Sequence, residues 1–168
     1  AASDVYKRQI QSLYTQPQFY VEIDNVSSTW QTQTAGIRQG CPLSPFLFVI
    51  MMSVLMSDAK ESLQSKHNIQ LSPNLVCHEV LYADDTLLID IHGSNLQLYM
   101  QCIAEEGKSY GLSLNVSKLE CMPVRCQTYL IAEDGSQIKV KKHLKYLGAQ
   151  IAGDGTMISE LAQKIGIA

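Results

Sequence analysis

The sequence predicts an α+β fold in which a mostly antiparallel sheet carries helices on one face. Three observations point there. Short strand-like runs, alternating apolar and polar near the start and apolar around residue 84, are bracketed by turn residues. Two longer apolar segments, from 46 to about 63 and from 96 to 104, follow cap-forming residues. The second half then breaks into short β-like pieces separated by Asp-Gly pairs.

The elements follow in order. Residues 1–8 show no apolar register of their own; they are either the start of a helix running on through Ile10, Leu13 and Tyr14 or residues foreign to the domain. Phe19, Val21 and Ile23 alternate with Tyr20, Glu22 and Asp24. Residues 25–28 supply a turn, and residues 29–34 are β-prone again, so a hairpin is expected. A loop with Gly36, Gly40 and Pro42 leads to Ser44-Pro45, an N-cap followed by a proline at the first helical position. The helix from 46 to about 63 is apolar nearly all round in its first half, which predicts burial there. Residues 75–82 and 86–91 are strand-like and flank Ala83-Asp84-Asp85, a second hairpin. Ser94-Asn95 is expected to cap a helix that stops at Gly111. Short strands are expected at 112–114, 120–124, 129–132, 138–140 and 146–151, with turns at Asp134-Gly135 and Asp154-Gly155. Residues 157–167 look like the first turns of another helix.

Composition bounds the function. The chain has 168 residues, of which 46% are hydrophobic and 17% charged, enough apolar surface to offset chain entropy in one domain. A formal charge of −3 argues against a free-standing nucleic-acid binder held by a basic face. The longest apolar run, 46–56, is interrupted by Ser53, whereas a membrane span needs about 20 residues. No charged start leading into an apolar stretch marks a secretory leader. Five cysteines without a Cys-x-x-Cys pair and four scattered histidines predict neither a disulfide framework nor a zinc site, and suit a reducing, intracellular compartment.

Four stretches carry candidate chemistry. Asp84 and Asp85 sit between apolar strands; carboxylates that converge at a hairpin turn bind a hard divalent cation, while an exposed Asp-Asp turn is the plainer alternative. The loop Gly36-Ile37-Arg38-Gln39-Gly40-Cys41-Pro42-Leu43 precedes a helix, where backbone N–H groups and the positive dipole end suit phosphate. Arg38 adds a planar cation and Gln39 a two-way hydrogen-bonding amide. Lys118, after Gly111-Leu112-Ser113-Leu114-Asn115, can meet a phosphate or deliver a proton to a leaving group, or is simply a solvated turn lysine. Lys139, Lys141, Lys142 and Lys145 form one basic strip ending at Tyr146, able to follow a nucleic-acid backbone or to serve as a solvated face.

In this order the four stretches resemble the reverse transcriptase domain, and most closely that of non-LTR (long interspersed type) retrotransposons. The resemblance covers about residues 10–168. It implies a partial polymerase palm, with the start of a thumb at about 157–168. By the resemblance, Asp84 and Asp85 are the catalytic pair holding two Mg²⁺ ions for nucleotidyl transfer. Tyr82 and Ala83 lie near the primer end, and Arg38, Gln39 and Gly40 contact the incoming nucleotide and template. Lys118 is the lysine near the triphosphate, and Tyr146, Leu147 and Gly148 grip the primer backbone. The partners implied are an RNA template, a DNA primer and deoxynucleoside triphosphates. The rest of a polyprotein (fingers, thumb and a possible endonuclease) is implied too, and no membrane.

One part of the family pattern is not in the sequence. The third metal-binding aspartate belongs to a strand well before the Gly36 loop; Asp24 has the wrong neighbours for it. The expectation is therefore a polymerase fragment that alone has little or no activity. The competing reading is a non-catalytic relic or nucleic-acid-binding remnant of a decayed element.

Overall fold

The computed structural model describes residues 2–34, 36–37, 40–72, 75 and 77–156. Arg38, Gln39 and the helix expected at 157–167 lie outside the described residues. The chain divides into two compact units, Ala1–Ser44 and Pro45–Ala168.

The first unit opens with α1 (Ala2–Tyr14), so the opening residues are helical. Tyr14 Oη lies 3.2 Å from Ser44 Oγ, and Ser44 is buried. The expected hairpin forms, but in two registers. β1 (Gln18–Phe19) pairs with β4 (Gln31–Thr32), and β2 (Glu22–Ile23) with β3 (Val26–Ser27), both antiparallel. The turn is Asp24-Asn25 rather than residues 25–28. Both residues take positive φ, 52° and 61°, the sign pattern of a type I′ turn, which Asp and Asn tolerate. Ser28 N–H donates to Val21 O, whereas Phe19 pairs with Gln31, so Thr29 and Trp30 together oppose Tyr20. That extra residue is a β-bulge, and it turns the Trp30 ring edge-on to Tyr20 with centroids 4.7 Å apart.

The second unit is built on α2 (Ser44–His67) and α3 (Gly93–Ser109). Met52, Leu55, Met56, Ala59 and Leu63 recur at helical spacing and form the buried stripe of α2. Met56, Ala59 and Leu63 pack with Tyr99, Cys102 and Ile103 of α3 in one core cluster. The first half of α2 is not buried all round as its composition predicts. Phe46, Val49, Ile50 and Val54 are 69, 56, 59 and 44% exposed, because the core meets only one stripe of the helix.

β5 (Glu79–Tyr82) and β6 (Asp85–Leu88) form the second expected hairpin, antiparallel, with Tyr82 opposite Asp85. Asp85 therefore opens a strand, and the turn is only Ala83-Asp84. Leu81 and Leu88 pack against the α2–α3 cluster, which seats the hairpin on both helices. His92 rather than Ser94-Asn95 is the N-cap of α3, with Asp90 Oδ1 accepting from His92 N–H at 2.7 Å. The stop at Gly111 holds: its φ is 70°, its N–H reaches Lys108 O, and Leu112 N–H reaches Gly107 O, a Schellman closure.

A second core cluster joins Met100, Cys121, Leu130, Ala132 and Ile138, with Leu88 and Val116 packed against it. The strands around it differ from expectation. Residues 112–114 are not a strand, and β7 (Glu120–Cys121) pairs in parallel with β8 (Lys139–Val140). The Asp134-Gly135 turn is as expected, closed by a bridge between Ile131 and Gln137. The last hairpin is β9 (His143–Tyr146) with β10 (Ala149–Ala152), turning at Leu147-Gly148. Asp154-Gly155 is a turn beyond it, with Asp154 Oδ1 accepting from Thr156 N–H. Among the described residues the architecture is thus mixed helix with small two-stranded sheets, antiparallel but for one pair. Among the described residues, no helix is long and apolar enough to cross a membrane.

Candidate active site

Tyr82, Ala83, Asp84 and Asp85 occupy the tip of the β5–β6 hairpin. A two-residue loop demands special backbone geometry, and here only its first residue, Ala83, has positive φ (52°), the sign pattern of a type II′ turn. Glycine would take that conformation freely; for alanine it costs about 1–2 kcal/mol. Tyr82, Asp84 and Asp85 are all exposed. Among the described residues no side chain pairs with either carboxylate, so their oxygens remain available as hard donors. Such donors suit a divalent cation of the magnesium kind, which takes one or two carboxylates and fills its remaining positions with water and substrate phosphates. No cluster of three or more His, Cys, Asp or Glu side chains suited to a metal occurs among the described residues. The pair fits such an ion as part of a ligand set.

The other expected residues are distributed as follows. Gly40 lies in the first unit, in a turn with φ 81° and open space where a Cβ would stand. Lys118 ends a single 3-10 turn, Val116–Lys118, and is exposed. Val116 of that turn packs on the same core cluster as Leu88 of β6, so the turn and the Asp hairpin share one foundation. Within the basic strip, Lys139 Nζ donates to Ser117 O at 3.1 Å and Lys141 lies 3.5 Å from Glu120 Oε1.

Tyr146, Leu147 and Gly148 are not one strand. Tyr146 ends β9, while Leu147 (φ 51°) and Gly148 (φ 80°) make the turn, because residues at positive φ cannot continue a strand. The Tyr146 hydroxyl donates to Val80 O at 3.1 Å and ties the β9 hairpin to β5. That contact was not foreseen, nor was a polar knot at the other end of β5. Glu79 accepts from Lys60 through Oε1 and from Tyr99 Oη through Oε2, the latter at 3.3 Å. Burial, and then the Glu79 charge, push the Tyr99 hydroxyl well above the usual phenol range. The one signal in the sequence was a glutamate opening an otherwise apolar strand.

Comparison with known proteins identifies the class. The family model for reverse transcriptase (RNA-dependent DNA polymerase) matches residues 2–151, and the chain belongs to that family, making it an RNA-directed DNA polymerase domain by family. The four motifs had led to the same family. One relative is the retrovirus-related Pol polyprotein from type-1 retrotransposable element R2 of Nasonia vitripennis, 28% identical over 129 residues, or 77% of this chain. Another is the Pol polyprotein from type-2 retrotransposable element R2DM of Drosophila melanogaster, 24% identical over 155 residues, or 85% of this chain. The matched region spans only 11% and 14% of those relatives' lengths.

Proposed function

We propose that this chain is part of the palm of a reverse transcriptase from a non-LTR retrotransposon polyprotein, extending a DNA primer on an RNA template inside the cell. The observation that carries this reading is the Asp84-Asp85 pair at a tight hairpin tip, exposed and without a side-chain partner among the described residues. Two divalent ions, when bound, supply the Lewis acidity that in-line nucleotidyl transfer needs at the attacking hydroxyl and the departing pyrophosphate. Asp84 and Asp85 would hold the cations, and the third carboxylate of the family pattern would complete the set. Tyr82 and Ala83 border the primer end. Lys118 donates a proton to the leaving pyrophosphate oxygen. Arg38, Gln39 and Gly40 contact nucleotide and template, and the Leu147-Gly148 tip supports the primer backbone. Tyr146 acts by holding that tip against β5 through Val80.

The test is primer extension by the polyprotein that contains this chain, with an RNA template, deoxynucleoside triphosphates and Mg²⁺. We expect metal-dependent DNA synthesis. A folded polyprotein that makes none would instead favour the relic of a decayed element. Within the same assay, Lys118→Leu should lower kcat about a hundredfold with little change in the nucleotide KM. A rise in KM alone would remove Lys118 from the proton-transfer role.

A further inference from the structure

We propose that Glu79 is a positioning residue for the Asp84-Asp85 tip: gripped by Lys60 of α2 and Tyr99 of α3, it fixes the root of β5 and so holds the carboxylate pair in place. The inference rests on the reading of that tip as the cation site. Glu79 stands three residues before the end of β5, roughly 10 Å along a strand, which is too far to share a ligand sphere with the tip. Both of its carboxylate oxygens are engaged, Oε1 by Lys60 and Oε2 by Tyr99. Its backbone carbonyl also accepts from Cys77 Sγ at 3.0 Å.

Why a charge should stand there is a question of geometry rather than stability. The Glu79 side chain is only 14% exposed and Tyr99 only 1%. A half-buried carboxylate pays for desolvation even when paired, and an apolar pair of similar volume would hold as well. What the ion pair adds is direction: Lys60 of α2 and Tyr99 of α3 both meet the one carboxylate at the root of β5. The other ion pairs among the described residues join side chains whose acids are 29–59% exposed, where pairing contributes little. β5 and β6 pair with no further strand among the described residues, and a lone hairpin is marginal. Its aim therefore depends on the Leu81 and Leu88 contacts, on Tyr146 at Val80 and on the Glu79 knot.

The experiment is single-turnover extension by the intact polyprotein, comparing Glu79→Gln, Lys60→Met and both together, with Lys108→Met as control. Lys108 pairs with Glu133 on the surface and touches none of this. Glu79→Gln should lower the rate constant per active site by about tenfold to a hundredfold, as a small misplacement of reacting groups does. It should also raise the Mg²⁺ midpoint several-fold while leaving the nucleotide KM within about twofold. Lys60→Met should do the same, and the double variant should be no worse than the worse single, since both remove one interaction. Mn²⁺ binding read by electron paramagnetic resonance, without nucleotide, should weaken in parallel. A merely structural tie would lower the melting temperature and the burst amplitude, yet leave the per-site rate and the Mg²⁺ midpoint unchanged; that result overturns the proposal. Should Asp84→Asn retain activity, the reading of the tip itself fails instead, so the two failures are distinguishable.

Discussion

Replacing Asp84 with Asn should cut templated primer extension by the parent polyprotein about a thousandfold or more, roughly 4 kcal/mol of transition-state stabilisation. Asparagine matches aspartate in size and shape and keeps one acceptor oxygen, so what is lost is charge. The loss falls on a site with few protein ligands: Asp84 and Asp85 are the only carboxylates at the hairpin tip, and no further His, Cys, Asp or Glu joins them among the described residues. A divalent ion held by so few carboxylates has little spare negative charge to compensate. The fold should not notice. Asp84 is an exposed turn residue with no side-chain partner among the described residues, and asparagine is as good in a turn. We expect unfolding free energy to stay within about 0.5 kcal/mol. Loss of activity together with loss of fold would refute the assignment as surely as retained activity.

The second large effect concerns what holds the tip up. Leu63→Ala should destabilise the second unit by about 2–5 kcal/mol. Leu63 is 1% exposed and sits with Ala59, Tyr99, Cys102 and Ile103 where α2 meets α3, the platform on which Leu81 and Leu88 rest. Truncation removes the buried methyl groups and leaves a cavity whose walls belong to two helices and cannot close over it freely. Against a total of about 5–15 kcal/mol for a domain, that is a large share. The measurement is urea unfolding followed by far-UV circular dichroism, with the midpoint falling and the slope unchanged. A loss below about 1 kcal/mol would mean that this cluster is not the core of the unit.

The parts of the fold that could be read from sequence are those fixed by local chemistry. Short apolar strand-like runs on either side of Ala83-Asp84 placed the hairpin, because a strand run and a turn are both short-range. Gly111 ended α3 because only a residue at ease with positive φ completes the Schellman closure. Where neighbours in space decide, the sequence misled. The apolar first half of α2 reads as buried, but burial depends on what packs against it, and one stripe is left bare. The last hairpin turns at Leu147-Gly148 rather than at Asp154-Gly155, with a leucine at φ 51°, a conformation that leucine's own preference does not favour. The Glu79 knot joins residues 19 and 20 positions apart from it, beyond the reach of any local pattern. Likewise the four motifs were legible as residues, yet the tie from Tyr146 to Val80 spans 66 positions and needed the fold.

The account stands on the β5–β6 tip as the place where the divalent ion is held. Metal-directed cleavage tests it most directly: the polyprotein with primer, template and nucleotide is loaded with Fe²⁺ in place of Mg²⁺, then exposed to ascorbate and peroxide. Radicals formed at the ion cut the nearest backbone. We expect cuts centred on residues 82–86, suppressed by excess Mg²⁺ and lost in Asp84→Asn. Cleavage elsewhere in the chain, or the same cuts in Asp84→Asn as in the unaltered protein, would contradict it.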